Sequence, residues 1–533
     1  MNINKIKVIC AFLCLIVVGH ATTITVNVPG SLTNLLSISD KVSITNLTIL
    51  GNIDARDIKC LRDEFTKLIV LDISSITIQP YTGVGGTTSD LIYPANQIPD
   101  YSFNNSGNGK TSLISITLPD SITTIGNYAF SNCSGLTKII IPKQVTLIGI
   151  HAFSDCLGLT GNIFIPKSVT TLKTFAFYSC PEINGFVVED GNNYYSSTDG
   201  VLFNKNQTLL IQCPMNKVGV YSIPTSVISI GTHAFYNCSK LTGSLDIPNN
   251  VFSIKDEAFY GCIGLTGLTI PNSVKIIEDQ AFEFCKGLKG SLVIPNSVTY
   301  IGEFAFLGCS GFTGDLIISN SVKFIRDYTF SECSGFSSVA IPNSVNLIGD
   351  GAFSYCSGIT SLSIPNSVNA IGDGAFGYCS KLMSIIIPNS ITLIGNFTFR
   401  ECSQLNNVVI PSSVTAIGNS AFEVCKAITN IIIPNSVTSI GISAFSDCKG
   451  LENLTLPNSV ATIGRSAFWG CSDLISITSY AGKPIDLTLS SGTFSGVDKS
   501  NCTLYVIANS KTTYQSVEQW KDFKNIIEIV TPQ

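Results

Sequence analysis

Apolar residues fall in short bursts along most of this chain, and the bursts recur with one period. One unit reads Ile433, Pro434, Asn435, Ser436, Val437, two polar residues, Ile440, Gly441, two variable residues, Ala444, Phe445, two more, Cys448, then Leu451, Leu454, Leu456 and Pro457. Leu451, Leu454 and Leu456 follow the L-x-x-L-x-L spacing of a leucine-rich repeat, whose alternating residues form one short strand of a parallel ladder. The proline ends the strand because it has no N–H to give the ladder. Val437 to Gly441 is predicted to cross back in extended form. The Ala-Phe pair and the cysteine are predicted to make a short turn that points Phe445 and Cys448 inward.

The cysteines set the period. Cys133, Cys156, Cys180, Cys238, Cys262, Cys285, Cys309, Cys333, Cys356, Cys379, Cys402, Cys425, Cys448 and Cys471 are 23 or 24 residues apart, with a single gap of 58. A period in this range means a solenoid. The step from the Pro position to the Cys is 14 residues in every unit, Ser319 standing in once, whereas the step from Cys to the next Pro is 9 or 10. The extra residue always comes with a glycine, Gly161, Gly243, Gly290 or Gly314. One arc of the coil is therefore fixed in length, and the other absorbs a glycine bulge just before the strand. The predicted fold is a β-rich solenoid, a right-handed coil of 23–24-residue leucine-rich-repeat units with a parallel strand ladder, capped at both ends.

The I-P-N-S-V-x-x-I-G-x-x-A-F-x-x-C unit, running from about Leu113 to Leu474, resembles the BspA-like leucine-rich-repeat surface proteins. The stretch Gly51, Asp54 to Asp57, Leu71 to Ile73 resembles the family's entry region, and Cys502 to Ile529 its closing segment. The resemblance implies an exported or surface protein linked to adhesion and protein binding. It brings no catalytic residue.

The ends depart from the repeat. Lys5 and Lys7, the apolar run Val8 to Val18 and the small residues Gly19 and Ala21 read as a cleavable secretory signal peptide over residues 1–21. The run is too short to span a bilayer, no later segment reaches the ~18–20 apolar residues that a membrane helix needs, and no anchor is readable. Residues 22–112 are expected to form an N-terminal cap and entry region, 113–474 the solenoid and 475–533 a C-terminal cap. Asp54 is placed to cap a helix from Ala55 to about Thr66 with Ile58, Leu61 and Phe65 on one face, and Leu68, Leu71 and Ile73 to give a first rung. Tyr514 to Lys524 is predicted to be a closing helix. The long cysteine gap hides an enlarged coil at about residues 183–223, with a hairpin of Val201–Phe203 and Thr208–Gln212 joined by Asn204 to Gln207. That excursion reads either as a coil variant or as a contact site.

Composition narrows the function. Charged residues are 13% of the chain, against ~25% in ordinary soluble domains. The formal charge of −5 becomes −7 once Lys5 and Lys7 are removed, so phosphate backbones are repelled and nucleic acid is excluded as a partner. No catalytic motif or phosphate-binding glycine loop occurs, and neither an enzyme nor a cofactor or metal is expected. His151 and His233 share one variable position and are expected to face solvent. Sequons such as those at Asn46, Asn132 and Asn396 are expected by chance in a chain this rich in Asn, Ser and Thr.

Three columns remain. The cysteine column reads as buried, inert structural thiols, because neighbouring Cβ atoms at coil spacing do not converge as a disulfide requires. Cys60, Cys213 and Cys502 lie off the register, and their pairing stays open. After the glycine position, Asp256, Asp279, Glu303, Asp327, Asp350 and Asp373 present a carboxylate in six consecutive coils, read as caps of free N–H groups or as a cation or basic-partner site. Two residues before each proline, Ile140, Phe164, Val293, Ile317, Ile386, Val409 and Ile432 point away from the inward leucine positions. Seven large apolar side chains on a solvent-facing sheet exceed what strand formation needs. They are the candidate partner-binding residues. The expected function is binding of a protein or other surface macromolecule through this strand face by an exported or cell-surface protein. The alternative is a structural surface component that self-associates through the same face.

Overall fold

The computed structural model describes residues 21–529, so the leader lies outside the described residues except for Ala21. The chain divides into two compact units, one of residues up to Ile183 with Val188–Tyr194, the other of Asn184–Val187 with Tyr195 onward. Each is a stack of coils, a parallel-strand β-solenoid.

In the first unit a parallel sheet runs Ala21–Val26, Asn46–Ile53, Val70–Ile78, Ser115–Thr117. Two strands thus precede the rung at Leu71, where the sequence suggested the first. Ile24, Leu47 and Ile49 alternate as strand residues but carry no proline to mark them. The helix is Ala55–Asp63, with Asp54 and Asp57 forming a reciprocal capping box and Ile58, Leu61 and Phe65 buried. The Asp57 carboxylate also accepts the N–H groups of Gly30 (2.6 Å) and Leu32 (2.9 Å), which ties the preceding loop to the helix start. At the helix end the buried Lys110 ammonium donates to the Phe65 carbonyl at 2.7 Å.

Most regular coils contribute two strands. The L-x-x-L-x-L segment forms the expected ladder, as in Ser384–Ile386 paired in register with Asn407–Val409. The return stretch is more than an extended crossing. Its two-residue strands, such as Leu393–Ile394, Ala416–Ile417 and Ser439–Ile440, make a second parallel ladder. In the second unit this ladder grows from the enlarged coil. Leu209–Gln212 pairs in parallel with Ser229–Ile230 and antiparallel with Val201–Asn204, and Tyr195–Thr198 adds a third antiparallel strand that the sequence reading missed. Val201, Phe203 and Leu210 are fully buried, so the excursion packs into the core.

The core is a spine of phenylalanines from the Ala-Phe turns. Phe103, Phe130, Phe153 and Phe177 stack at 5.1–5.2 Å in the first unit. In the second, Phe235, Phe259, Phe282 and their successors stack at 4.8–5.8 Å up to Phe494. Three of the four inserted glycines take up the length changes in the left-handed conformation: Gly161, Gly243 and Gly290 have φ of 78°, 84° and 80°, whereas Gly314 does not, and the strand register slips between Gly243 and Ser244.

Past Leu474 the sequence repeat stops but the ladder goes on, through Ser476–Ser479, Thr503–Ile507 and Asn525–Ile529. The predicted closing helix is a correction: only Lys511–Tyr514 is helical. Gln519 takes the left-handed conformation (φ 66°), which breaks the helix. Tyr514 enters the core from the end of this short helix and Trp520 from a turn, Trp520 Nε1 donating to the Ile485 carbonyl (3.0 Å) and the Tyr514 hydroxyl to the Ala481 carbonyl (3.0 Å).

Candidate strand-face site

The strand ladder sets the geometry of the candidate surface. In the second unit Leu292, Leu316, Ile385 and Ile431 point into the core and are at most 3% exposed. Their strand neighbours Val293, Ile317, Ile386, Val409 and Ile432 point outward and are 46–73% exposed. In-register pairing sets Ile317 between Val293 and Ala340, Ile386 between Ser363 and Val409, and Ile432 beside Thr455. In the first unit Ile140 and Phe164 hold the same outward position, at 66% and 43% exposure.

A polar row runs alongside, and towards its two ends neighbouring members hydrogen-bond to one another. Ser338 Oγ donates to Asp315 at 2.6 Å, Asn453 Nδ2 to Asn430 at 2.9 Å, and Ser476 Oγ to Asn453 at 2.6 Å. Among the outward residues of the strands from Leu292 to Ser479, Asp315 is the one charge. The surface is therefore a nearly uncharged strip of β-branched apolar side chains bordered by short amides and hydroxyls. Val293, Ile317 and Ala340 with Pro295 and Pro342 line a shallow trough along it.

The acidic column caps backbone N–H groups, but those of the next coil. Asp327 Oδ1 accepts from Asp350 N at 2.8 Å, Asp350 from Asp373 N at 2.8 Å, and Asp373 from Asn396 N at 2.7 Å. Asn396 and Asn419 continue the pattern at 2.8 Å without charge. At three coils this ladder occupies the space beside the adjacent glycine. A Cβ on Gly349, Gly372 or Gly395 would lie 2.4–2.6 Å from the ladder oxygen of Asp327, Asp350 or Asp373. Where the preceding coil offers Ile150, Thr232 or Glu303 instead, the glycine position holds Lys173, Lys255 or Arg326, whereas Gly418, Gly441 and Gly464 are crowded by backbone atoms of the preceding coil and Glu278 stands beside Asp256. Asp350→Ala should cost about 0.5–1.5 kcal/mol through the lost hydrogen bond. Asp350→Asn keeps the bond and relieves like-charge repulsion, so its stability should equal or exceed wild type by up to about 0.5 kcal/mol. Urea unfolding of the two variants at low and high salt measures both effects.

The histidines are a further correction, since neither faces solvent freely. His151 stacks between Tyr128 (5.0 Å) and Phe175 (4.8 Å), and His233 Nε2 lies 3.0 Å from the Glu257 carboxylate. Both occupy a position with positive φ in almost every coil, and the residue before the cysteine is a second such position. Left-handed backbone at two fixed points makes the square turn around each Ala-Phe pair. The recurrence of Gly351 and Gly374 at the first point and Gly261, Gly308 and Gly470 at the second was the readable signal.

All 17 described cysteines are free and buried, Cys60, Cys213 and Cys502 included. Regular column thiols donate to the Phe carbonyl of the preceding coil, as Cys285 to Phe259 (3.0 Å) and Cys379 to Phe353 (3.3 Å). Burial pushes Cys133, Cys180, Cys285, Cys379 and Cys471 from the ordinary 9.0 up to about 12. The folded state thus holds the proton more tightly than the unfolded state. Its thiol-linked stability is complete below pH 9 and falls as the pH rises toward 12. The melting temperature should drop steeply in that window, and native thiol labelling should stay near zero below it until urea is added.

Among the described residues no group of His, Cys, Asp and Glu is arranged to hold a metal ion, and no helix is long and apolar enough to cross a membrane.

The family model described as "BspA type Leucine rich repeat region" matches in six copies, over residues 96–204, 206–334, 287–406, 369–483 and 416–501. No curated protein matches the chain. Among solved structures, a leucine-rich repeat protein from Bacteroides ovatus is 27% identical, over 77% of this chain and 86% of that one, with a TM-score of 0.42. A leucine rich cell surface protein from Faecalibacterium prausnitzii is 26% identical, over 74% and 85%, with a TM-score of 0.33. The pneumococcal vaccine antigen PcpA is 20% identical, over 75% of each chain, with a TM-score of 0.40.

Proposed function

Because the chain belongs to the BspA-type leucine-rich-repeat family, whose members are non-catalytic repeat scaffolds, we propose that it is an exported surface protein that binds a partner protein through its strand face. The observation that carries this reading is the row Val293, Ile317, Ile386, Val409 and Ile432, exposed beside a polar row whose members hydrogen-bond along the ladder at Asp315–Ser338 and Asn430–Asn453–Ser476. Threonine would serve the strands equally well, as Thr455 does, so the apolar side chains add surface that the fold does not require. A contact surface draws most of its free energy from a few desolvated apolar anchors, and a nearly uncharged strip is cheap to dehydrate. Export is the reading of the leader by sequence, and adhesion is the role this surface would serve outside the cell.

The test is capture. Purified chain is used to pull down candidate host and microbial surface proteins while light scattering follows its own mass. A monomer that captures a defined protein supports the reading. Growth in mass with concentration and no captured partner would replace it with assembly of the chain on itself.

A further inference from the structure

A second surface lies on the turn edge of the second unit, away from the strand face. The first positive-φ position of each coil forms a column whose side chains stack when they are aromatic. In the first unit Tyr101, Tyr128, His151 and Phe175 fill it without a break, at 4.8–5.0 Å per step. In the second unit the column runs Phe304, Tyr328, Gly351, Gly374, Phe397. Phe304 and Tyr328 stack at 5.1 Å, and then two coils carry no side chain. The Tyr328 ring leans over the first gap, its Cε1 2.4 Å from where Gly351 would place a Cβ, whereas nothing lies within 4 Å of that point at Gly374. The Tyr328 and Phe397 rings are left 40% and 42% exposed.

We infer that this notch is a carbohydrate-binding site, in which one pyranose ring of a neutral glycan sits over Gly374 between the Tyr328 and Phe397 rings. Three coils of about 4.8 Å separate the two residues by roughly 14 Å. The lean of Tyr328 takes up about one coil of that. A ring held between two others at stacking distances of about 4.5–7 Å needs them about 9–14 Å apart. The opening is of that size.

The rim selects the guest. On one side Tyr355 and Tyr378 stack at 4.2 Å, and the Arg400 guanidinium lies 5.8 Å from the Tyr378 ring and 5.7 Å from the Phe397 ring. Arg400 is held there by Glu423 at 3.1 Å. On the other side Asp350 and Asp373 are exposed; Asp350 spends one carboxylate oxygen on the ladder and keeps the other for a guest, whereas Asp373 accepts from Asn396 through both of its oxygens. A sugar ring offers C–H faces to the two aromatic walls and hydroxyls to the donors and acceptors around them. An arginine side chain would meet Arg400, and a purely aromatic guest would leave the rim unmatched.

The test uses the full chain and saturation-transfer NMR with maltotriose, lactose, chitotriose and mannotriose at up to about 10 mM, ten times a Kd of about 1 mM. At least one should bind, with transfer strongest on ring C–H protons. Gly374→Tyr rebuilds the column on backbone that already holds Tyr328 at φ 52°, and should keep the melting temperature while weakening binding at least about tenfold. Phe397→Ser places the residue found at Ser420 in the same position, and should weaken binding similarly if the tyrosine variant fails to fold. Changing the strand-face row to threonine should leave sugar binding intact, which separates this site from the proposed protein-binding face. No transfer from any of the four sugars, or binding unchanged in folded Gly374→Tyr and Phe397→Ser, would overturn the inference.

Discussion

Phe376→Ala is expected to lower stability by about 3–5 kcal/mol, the cost of truncating a fully buried phenylalanine. Phe376 is fully buried and stacks on Phe353 at 5.6 Å and on Phe399 at 5.8 Å. The cavity would sit in the spine, where each ring is also the floor for the next, and its own carbonyl accepts the Cys402 thiol at 3.2 Å. In a stack where each coil touches only its neighbours, weakening one interface loosens the coupling between the coils on either side. Both tryptophans, Trp469 and Trp520, lie on the C-terminal side of the substitution. Urea unfolding followed by tryptophan fluorescence should therefore separate from unfolding followed by circular dichroism, whereas the two should run closer together in the wild type. The exposed Ile386→Ala is the control and should cost less than about 0.5 kcal/mol. A loss below about 1 kcal/mol for Phe376→Ala would contradict the spine as the main source of cohesion.

What the sequence revealed and what it hid differ for physical reasons. Positions that face the core, such as Leu454, Phe445 and Cys448, are read directly because burial allows few residue types there and the period repeats the choice. The outward row at Ile386 and Val409 was legible for the same reason, since strand alternation assigns the face once the inward residues are known. The helix after Asp54 was legible because its cap is local. The turn conformation was not. Two left-handed residues per coil are held by backbone hydrogen bonds to the next coil, such as Tyr128 N to the Ile150 carbonyl and Phe397 N to the Asn419 carbonyl at 2.8 Å, so Tyr128, His151 and Phe397 sit where propensity alone would ask for glycine. The second ladder was missed because strands of two residues carry too little alternation to read. The closing helix failed because Trp520 and Phe523 at helical spacing point to the core equally well from turns. The partner of each ladder aspartate lies 23 or 24 residues away, in the next coil, so the sequence could show that the column caps N–H groups but not which ones.

The other large effect is expected on the strand face. Replacing Val293, Ile317, Ile386, Val409 and Ile432 together by threonine keeps the β-branch at each position while removing apolar surface. These side chains already spend 46–73% of their surface on solvent. Each change should thus cost less than about 0.5 kcal/mol of folding stability. Binding depends on the apolar groups themselves. Losing anchors worth at least about 2 kcal/mol in sum weakens a complex about thirtyfold, and a central cluster should lose a hundredfold or more. Single substitutions should rank by position, with Ile386 and Val409, adjacent in the ladder, costing more than Val293 at the end of the row.

The most direct measurement of the central claim sets this five-residue variant against wild type for affinity to the captured surface protein, with thermal melts of both recorded in parallel. The account predicts coincident melts and an affinity at least about a hundredfold weaker for the variant. A folded variant that binds as tightly as wild type would contradict it and move the functional surface off the strand ladder.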